Sequence, residues 1–367
     1  MRVLIAGAGI GGLALAQGLR RAGVDVTVFE RDPSPTLRQQ GYRIHIDGQG
    51  GAALEACLPP ELFELYLSTS DNPSGTGVTI LDHRLRELNA FSFPPGRHTA
   101  VNRLTLRQIL LHGLDDVVRF GHEVTGASTD GDGVRLEFEG GSAIGDVLIG
   151  ADGTGSVVRP HAVPAAAVVD TGMFGIYGRT PLPPGGFPGL PGGFSAVTGT
   201  GTGATALALS SFQARHPVAE AGAAAGVPLA PVPDYQMWCA LTFERPEGDA
   251  TALHRKALGL LEGWHETVYD IVARAEVPAT FPVTIRTSQR IPAWPTSNIT
   301  LLGDAIHAMT PAGGVGANTA LRDAARLTAA LSTADSPGEV HDAIAAYESD
   351  MRVYGFAAVE ASLKGLR

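Results

Sequence analysis

Gly7, Gly9 and Gly12, in the text VLIAGAGIGG, follow a short strand-like run, Arg2–Ala6, in GxGxxG spacing. Such spacing suits a tight turn out of a strand at Gly7, close approach of backbone to a pyrophosphate at Gly9, and close helix–sheet packing at Gly12. Ile10 and Gly11 stand at the start of a helix whose first amides and dipole would face the phosphates. Glu30 closes the next apolar run, Val24–Phe29, where its carboxylate would meet the 2′ and 3′ hydroxyls of an adenosine ribose. A bare strand-to-helix turn would need the glycines but not the acid.

Two further acid-and-glycine turns lie far downstream. DVLIGADGTGSVVR puts Asp152 and Gly153 behind an apolar strand, with Arg159 seven residues after Asp152. ITLLGDAIHAMTPAGGVGANTALRDA puts Asp304 at the end of another, where a carboxylate can accept hydrogen bonds from a polyol or cap a helix. Pro311 then opens a loop in which Gly314 lets backbone approach a flat ring. The helix beginning at Gly316, Ala317 and Asn318 would aim its amides at negative charge there. Asn102 and Arg103 open one more helix, and the planar guanidinium of Arg103 suits phosphate. Arg43, in GYRIHID, reads equally as a ligand contact and as a solvent-facing strand residue. Three such turns in this order point to one extended cofactor, FAD, held by most of the chain.

The elements that must position these residues follow from periodicity. A helix over Ile10–Ala22 stops at Gly23, and VNRLTLRQILLHGL has helical spacing with Leu106, Ile109, Leu110 and Leu114 on its core face. Residues 118–153 read as antiparallel strands with turns at Gly131/Gly133 and Gly140/Gly141. GVTILD and RELNAFSF are strands. From Arg159 to Arg290 the text changes: Pro183–Gly193 has little to bury, YQMWCALTFE is a strand, and TALHRKALGLLEGWHETVYDIVARAEV reads as one long amphipathic helix. A final helix spans about Ser336–Leu363. The fold class is α/β: a Rossmann-like FAD-binding domain (1–71, 100–160, 291–335), an inserted mixed or antiparallel-sheet substrate domain (72–99, 161–290), and a C-terminal helix over 336–367. Pocket walls are expected from Phe174–Tyr177, Phe194–Val197, Ala206–Ser210 and Gln236–Cys239.

Composition bounds the function. The chain has 367 residues, of which 44% are hydrophobic, enough for a large core. Its formal charge of −10 argues against nonspecific nucleic-acid binding. No apolar run is long enough to span a bilayer, and the glycines interrupt the N-terminal run at fingerprint spacing rather than leaving a secretory core. Two cysteines, Cys57 and Cys239, give no disulfide framework and favour a reducing cytoplasm. The histidines show no ligand-like clustering, so no metal is expected.

GAGIGG with Glu30, GADGTGSVVR and LLGDAIHAMTPAGGVGANTALRDA resemble the nucleotide fingerprint, the DG motif and the GD motif of class A flavoprotein monooxygenases. These include the aromatic hydroxylases typified by para-hydroxybenzoate hydroxylase, and tetracycline-inactivating enzymes. The resemblance implies that Asp304 meets the ribityl chain, that the 311–318 loop meets the isoalloxazine, and that Arg103, Arg31 and the backbone near Val124 meet the rest of FAD. It gives Asp152 and Arg159 a place near the pyrophosphate and the visiting nicotinamide, and His307 a structural role. It further implies that NADPH or NADH reduces FAD and that O2 forms a C4a-hydroperoxide, whose distal oxygen is taken by a small aromatic or polyketide-like substrate. A non-oxygenating reductase, cyclase or eliminating enzyme on the same scaffold is the alternative. A halogenase is disfavoured because Trp238, Trp264 and Trp294 are isolated. The protein is expected as a monomer or homodimer without membrane or nucleic-acid partners.

Overall fold

Val3, Leu4, Ile5 and Ala6 are fully buried because β1 (Arg2–Ala6) is an inner strand of a parallel sheet, covered on both faces. A computed structural model describes residues 1–35, 42–71, 77–93, 96–131, 133–199 and 205–365. The Gly41 end of the GYRIHID strand, the Asn72 boundary and the Gly/Thr run at 200–204 lie outside them.

In chain order, β1 is followed by α1 (Ile10–Arg21), β2 (Asp25–Glu30), β3 (Arg43–Ile46), α2 (Gly48–Cys57), α3 (Pro60–Thr69), β4 (Gly77–Asp82), β5 (Glu87–Ser92), β6 (Thr99–Asn102) and α4 (Arg103–Leu111). Strands β7 (Val118–Phe120), β8 (Val124–Asp130), β9 (Gly133–Phe138), β10 (Gly141–Gly145) and β11 (Val147–Gly150) precede the short α5 (Arg159–Ala162). Then come β12 (Val168–Pro181), β13 (Phe194–Thr198), β14 (Ala206–Phe212), α6 (Val218–Ala224), β15 (Tyr235–Thr242), α7 (Ala250–Leu260), α8 (Glu266–Ala273) and β16 (Phe281–Ser288). The chain closes with β17 (Ile299–Leu301), α9 (Asp304–His307), α10 (Gly316–Leu331) and α11 (Pro337–Lys364).

Among the described residues, the first sheet runs β17-β11-β1-β2-β7, and every pair in it is parallel. Helix α1 is buried from Ile10 to Leu19 because it lies between this sheet and α10. The fit is close: a Cβ on Gly11 would stand 2.7 Å from Leu302 Cδ1, and one on Gly18 would run into the Thr328 side chain. Leu106, Ile109, Leu110 and Leu114 are buried, as the helical period of α4 requires. The β8–β10 excursion forms a three-stranded antiparallel sheet against β1 and β11.

The second large sheet has the order β16-β12-β15-β14-β13-β4-β5, and only its β13–β4 pair is parallel. Helices α7 and α8 cover one face, where Ile176, Val197, Leu207, Leu209, Trp238 and Ala240 form a core with Leu253, Leu261, Val268 and Ile271. The segment expected as one helix is two. The chain turns through Gly263 (φ +79°), and His265 restarts it by accepting the Thr267 amide at Nδ1 (3.2 Å). Two short rods can follow the twisted sheet where one straight rod would leave it. Pro183–Gly193 has more to bury than its composition suggests, since Phe187 is 9% exposed and packs into the same core. Helix α11 begins with a capping box between Ser336 and Glu339 and lays Ile344, Tyr347, Met351 and Phe356 on the first core.

Candidate functional site

Strand register brings the distant turns together. Ala6 is level with Gly150 on one side and with Phe29 on the other, and Gly150 is level with Leu301. The residues that follow these strands, Gly7, Glu30, Asp152 and Asp304, therefore share the C-terminal edge of one parallel sheet, the edge where open α/β sheets bind ligands.

At its first turn, Gly7 has φ +104°, and a Cβ there would stand 2.5 Å from Ala151 O. A Cβ on Gly12 would run into Gly7 O, whereas Gly9 faces open space. Gly9 also begins α1 with neither a side-chain cap nor an acid in the first turn, so the leading amides are available to an anion. Ile10 is 6% exposed and belongs to the core, and Gly11 faces Leu302 and Ala320 on the α10 side of α1. Glu30, 1% exposed, accepts the Ala8 amide (2.8 Å) and the Asp32 amide (3.0 Å), which fastens the end of β2 to the fingerprint loop. Arg31 is exposed beside it, and half-buried Val124 opens β8.

Arg107 was not foreseen. Its Nε donates to Ala8 O (3.3 Å), another nitrogen donates to Pro35 O, and the guanidinium lies 3.8 Å from Asp32. One turn after Arg103 on α4, it shares that residue's helix face, and this i, i+4 pairing was the available sign.

At the second turn, Asp152 Oδ2 accepts the amides of Val157 (2.7 Å) and Val158 (3.2 Å), while its buried Oδ1 has no partner among the described residues. Arg159 is a staple rather than a surface arginine: it donates to Ala305 O (3.0 Å) and Thr154 O (3.1 Å), tying the second turn to the third.

At the third turn, Asp304 is open to solvent, yet the surrounding protein desolvates its carboxyl enough to raise it above the usual carboxylate range, with His307 and Arg103 pulling the other way. Asp323, fully buried on α10, receives the Gly303 amide (2.8 Å), His307 Nε2 (2.6 Å) and the Tyr354 hydroxyl (2.6 Å). Burial alone would lower His307, but the Asp323 carboxylate beside it raises it. The imidazole is enclosed by this network rather than aimed into the groove.

Pro311 and Gly314 are exposed in the following loop, and half-buried Gly316 and Ala317 lead α10, which has no side-chain cap and no acid in its first turn. The Asn318 side chain is already committed. Its Nδ2 donates to His45 O (2.9 Å) and Gly314 O (3.2 Å), and its Oδ1 accepts the Asp47 amide (3.0 Å). This amide works as an extra backbone unit that pins β3 to α10, leaving any ligand contact to its main chain.

Strand β3 pairs with β6 and puts Ile44 and Ile46 in the core, with Arg43 and His45 on its other face. Arg43 is buried rather than solvent-facing, 3.7 Å from Asp71. Burial pushes Asp71 up to about 6 against the pull of Arg43. Asn102 caps α4 and donates to the Tyr235 hydroxyl (3.1 Å), so Arg103 starts that helix next to the second sheet. His45 and His98 share a hydrogen bond (3.1 Å), and Phe93 stacks on both rings. No cluster of metal-ligating side chains exists among the described residues.

A family model for an FAD-binding domain matches residues 1–184 and 208–362. The chain belongs to the FAD-binding family of class A flavoprotein monooxygenases. FAD is accordingly its cofactor. A protein from Photorhabdus luminescens, described as an FAD-containing monooxygenase, superimposes with a TM-score of 0.84 at 30% identity, covering 100% of this chain and 97% of that one. Klebsiella pneumoniae HpxO, solved with FAD and uric acid, shares the fold at 23% identity with a TM-score of 0.80, over 100% of this chain and 88% of that one. The dual O-methyltransferase/FAD-dependent monooxygenase elcB of Phaeosphaeria nodorum is 32% identical over 99% of this chain and 45% of its own length. This flavoprotein chain spans about half the length of the curated relatives it matches.

Proposed function

We propose that the chain is an NAD(P)H- and O2-dependent FAD monooxygenase that hydroxylates an aromatic or polyketide-like small molecule. The observation that carries this reading is the convergence of three glycine-and-acid turns on one edge of one parallel sheet, level from Phe29 through Ala6 and Gly150 to Leu301. The residues fit FAD: open Gly9 leaves a path for a pyrophosphate over the uncapped α1, and Asp152 Oδ1, which has no partner among the described residues, offers a buried acceptor. In this proposal Gly7, Gly9, Ile10, Gly11 and Gly12 form the phosphate turn through backbone and packing. Glu30, Arg31 and Val124 border the adenosine, and Arg103 and Asp152 border the diphosphate. Asp304 accepts from the ribityl chain. Pro311, Gly314, Gly316, Ala317 and the main chain of Asn318 border the flavin ring.

Bound FAD would supply the redox chemistry, accepting a hydride from the nicotinamide and passing one oxygen atom of O2 to the substrate. The protein's share is placement and electrostatics. The uncapped α10 would favour the negative charge of a reduced ring by about 1 kcal/mol. The segments 1–71, 100–160 and 291–335 would act as the FAD-binding unit, 72–99 and 161–290 as the substrate-facing unit, and 336–367 as a brace. No described helix is long and apolar enough to cross a membrane, and we place the enzyme in the cytoplasm. The test is a visible spectrum of the purified protein, followed by NADPH and NADH oxidation with a phenol panel. Substrate-stimulated oxidation, O2 uptake and a product about 16 mass units heavier are expected. Flavin reduction with no oxygen transferred would instead identify a non-oxygenating enzyme.

A further inference from the structure

The second sheet has two unlike faces. In β13 and β14, half-buried Phe194, Ala196, Ala206 and Ala208 alternate with buried Ser195, Val197, Leu207 and Leu209, and the buried set includes the residues under α7 and α8. The half-buried set therefore lies on the face away from α7 and α8, part of which Phe212, Tyr235 and Met237 close against Tyr42. Register runs one row across that face: Ile80, Ala196, Ala208, Cys239, Tyr177 and Phe281. Its middle is small and flat, three adjacent strands bearing Ala196, Ala208 and Cys239, about 10 Å across at ordinary strand spacing. Its end is aromatic and already closed, with Tyr177 stacked on Phe281 at 5.6 Å and 7° and Tyr42 edge-on to Phe281. Asn102, which caps the helix that Arg103 starts, donates to the Tyr235 hydroxyl of β15 (3.1 Å), which joins this sheet to the cofactor edge.

Two arginines near the floor each face an acid. Arg179 donates to Glu276 through Nε (3.0 Å) and a terminal nitrogen (2.7 Å), and Arg43 faces Asp71. Burial, with Arg43 beside it, holds His45 down to about 4, so it is neutral at physiological pH. The row itself carries no charged side chain, and a carboxylate laid on it would surrender its hydration against alanine, cysteine and aromatic carbon.

We propose that this floor selects an uncharged, flat, fused-ring substrate and rejects its carboxylated counterpart, with Ala196 and Ala208 setting the available space. The inference rests on the FAD reading above and narrows it to one substrate class.

The experiment titrates FAD-loaded protein with matched neutral and carboxylated rings, 1-naphthol against 1-hydroxy-2-naphthoate and a three-ring phenol against its carboxylate. Binding is read from the flavin absorption band without turnover. Neutral members should bind at least about 30-fold more tightly, and Ala208→Arg or, independently, Ala196→Arg should reverse the order while the flavin stays bound. Equal or tighter binding of the carboxylates, no binding by any neutral ring, or an unchanged order in whichever variant folds would overturn the proposal. A protein that takes up no FAD would overturn the cofactor reading instead, so the two failures are distinct.

Discussion

The C-terminal edge of the parallel sheet and the open face of the second sheet are built on opposite principles. At the edge, the proposed cofactor site is built of main-chain amides, strand ends and glycines, and the side chains of Glu30, Asp152 and Asp323 hold backbone in place. On the open face the backbone is plain β-sheet, and only the alternation of side chains gives the surface its shape. A backbone-built site constrains sequence at a few turn positions, whereas a side-chain-built surface can be retuned one residue at a time without disturbing the fold.

The contrast would be broken most severely by Gly12→Val, because its side chain has no volume to enter between Gly7 O and Ala151 Cβ. A loss of roughly 3 kcal/mol or more and of bound flavin is expected, seen by thermal unfolding and by absorbance. If Gly12→Val purified yellow with an unchanged Tm, the close helix–sheet contact would not matter. Trp238→Ala, on the covered face of the second sheet, should cost about 3–5 kcal/mol, yet the protein that stays folded should retain FAD. Loss of flavin in step with loss of stability would show that the two regions are not separable.

Asp323→Asn should destabilise by about 3 kcal/mol, and its pH dependence sharpens the comparison. His307 is raised in the folded state from 6.5, so its pairing with Asp323 contributes fully below that pH and is lost as pH rises through the folded value. The stability gap between wild type and variant, measured by urea unfolding, should therefore narrow above pH 6.5. A constant gap would mean that His307 is neutral. Smallest, Phe194→Ala should leave Tm within about 1 kcal/mol equivalent and FAD uptake intact, and should change only substrate affinity, because Phe194 is half-buried on the open face.

Much of the backbone-built edge was legible in the chain. Gly7, Gly12, Glu30, Asp152 and Asp304 announce themselves by spacing, since a turn of fixed geometry tolerates few residues. The supporting network was not. Asp323 meets Gly303, His307 and Tyr354 across three helices, and Asn318 spends its amide on β3, contacts that depend on tertiary packing. Arg107 looked like an ordinary helical arginine, and the break between α7 and α8 hid inside an amphipathic pattern that both short helices satisfy. The open face was least legible. A one-residue change of phase exchanges the two faces, and nothing local to AVT or ALALS says which face the helices will cover.

Strand β4 lies parallel to β13, although the chain between them crosses into the other sheet and back. A single cut anywhere between residues 82 and 194 would leave neither piece with the whole seven-stranded sheet. During synthesis, β4 and β5 must wait on the ribosome as a hairpin without its β13 neighbour until that strand emerges.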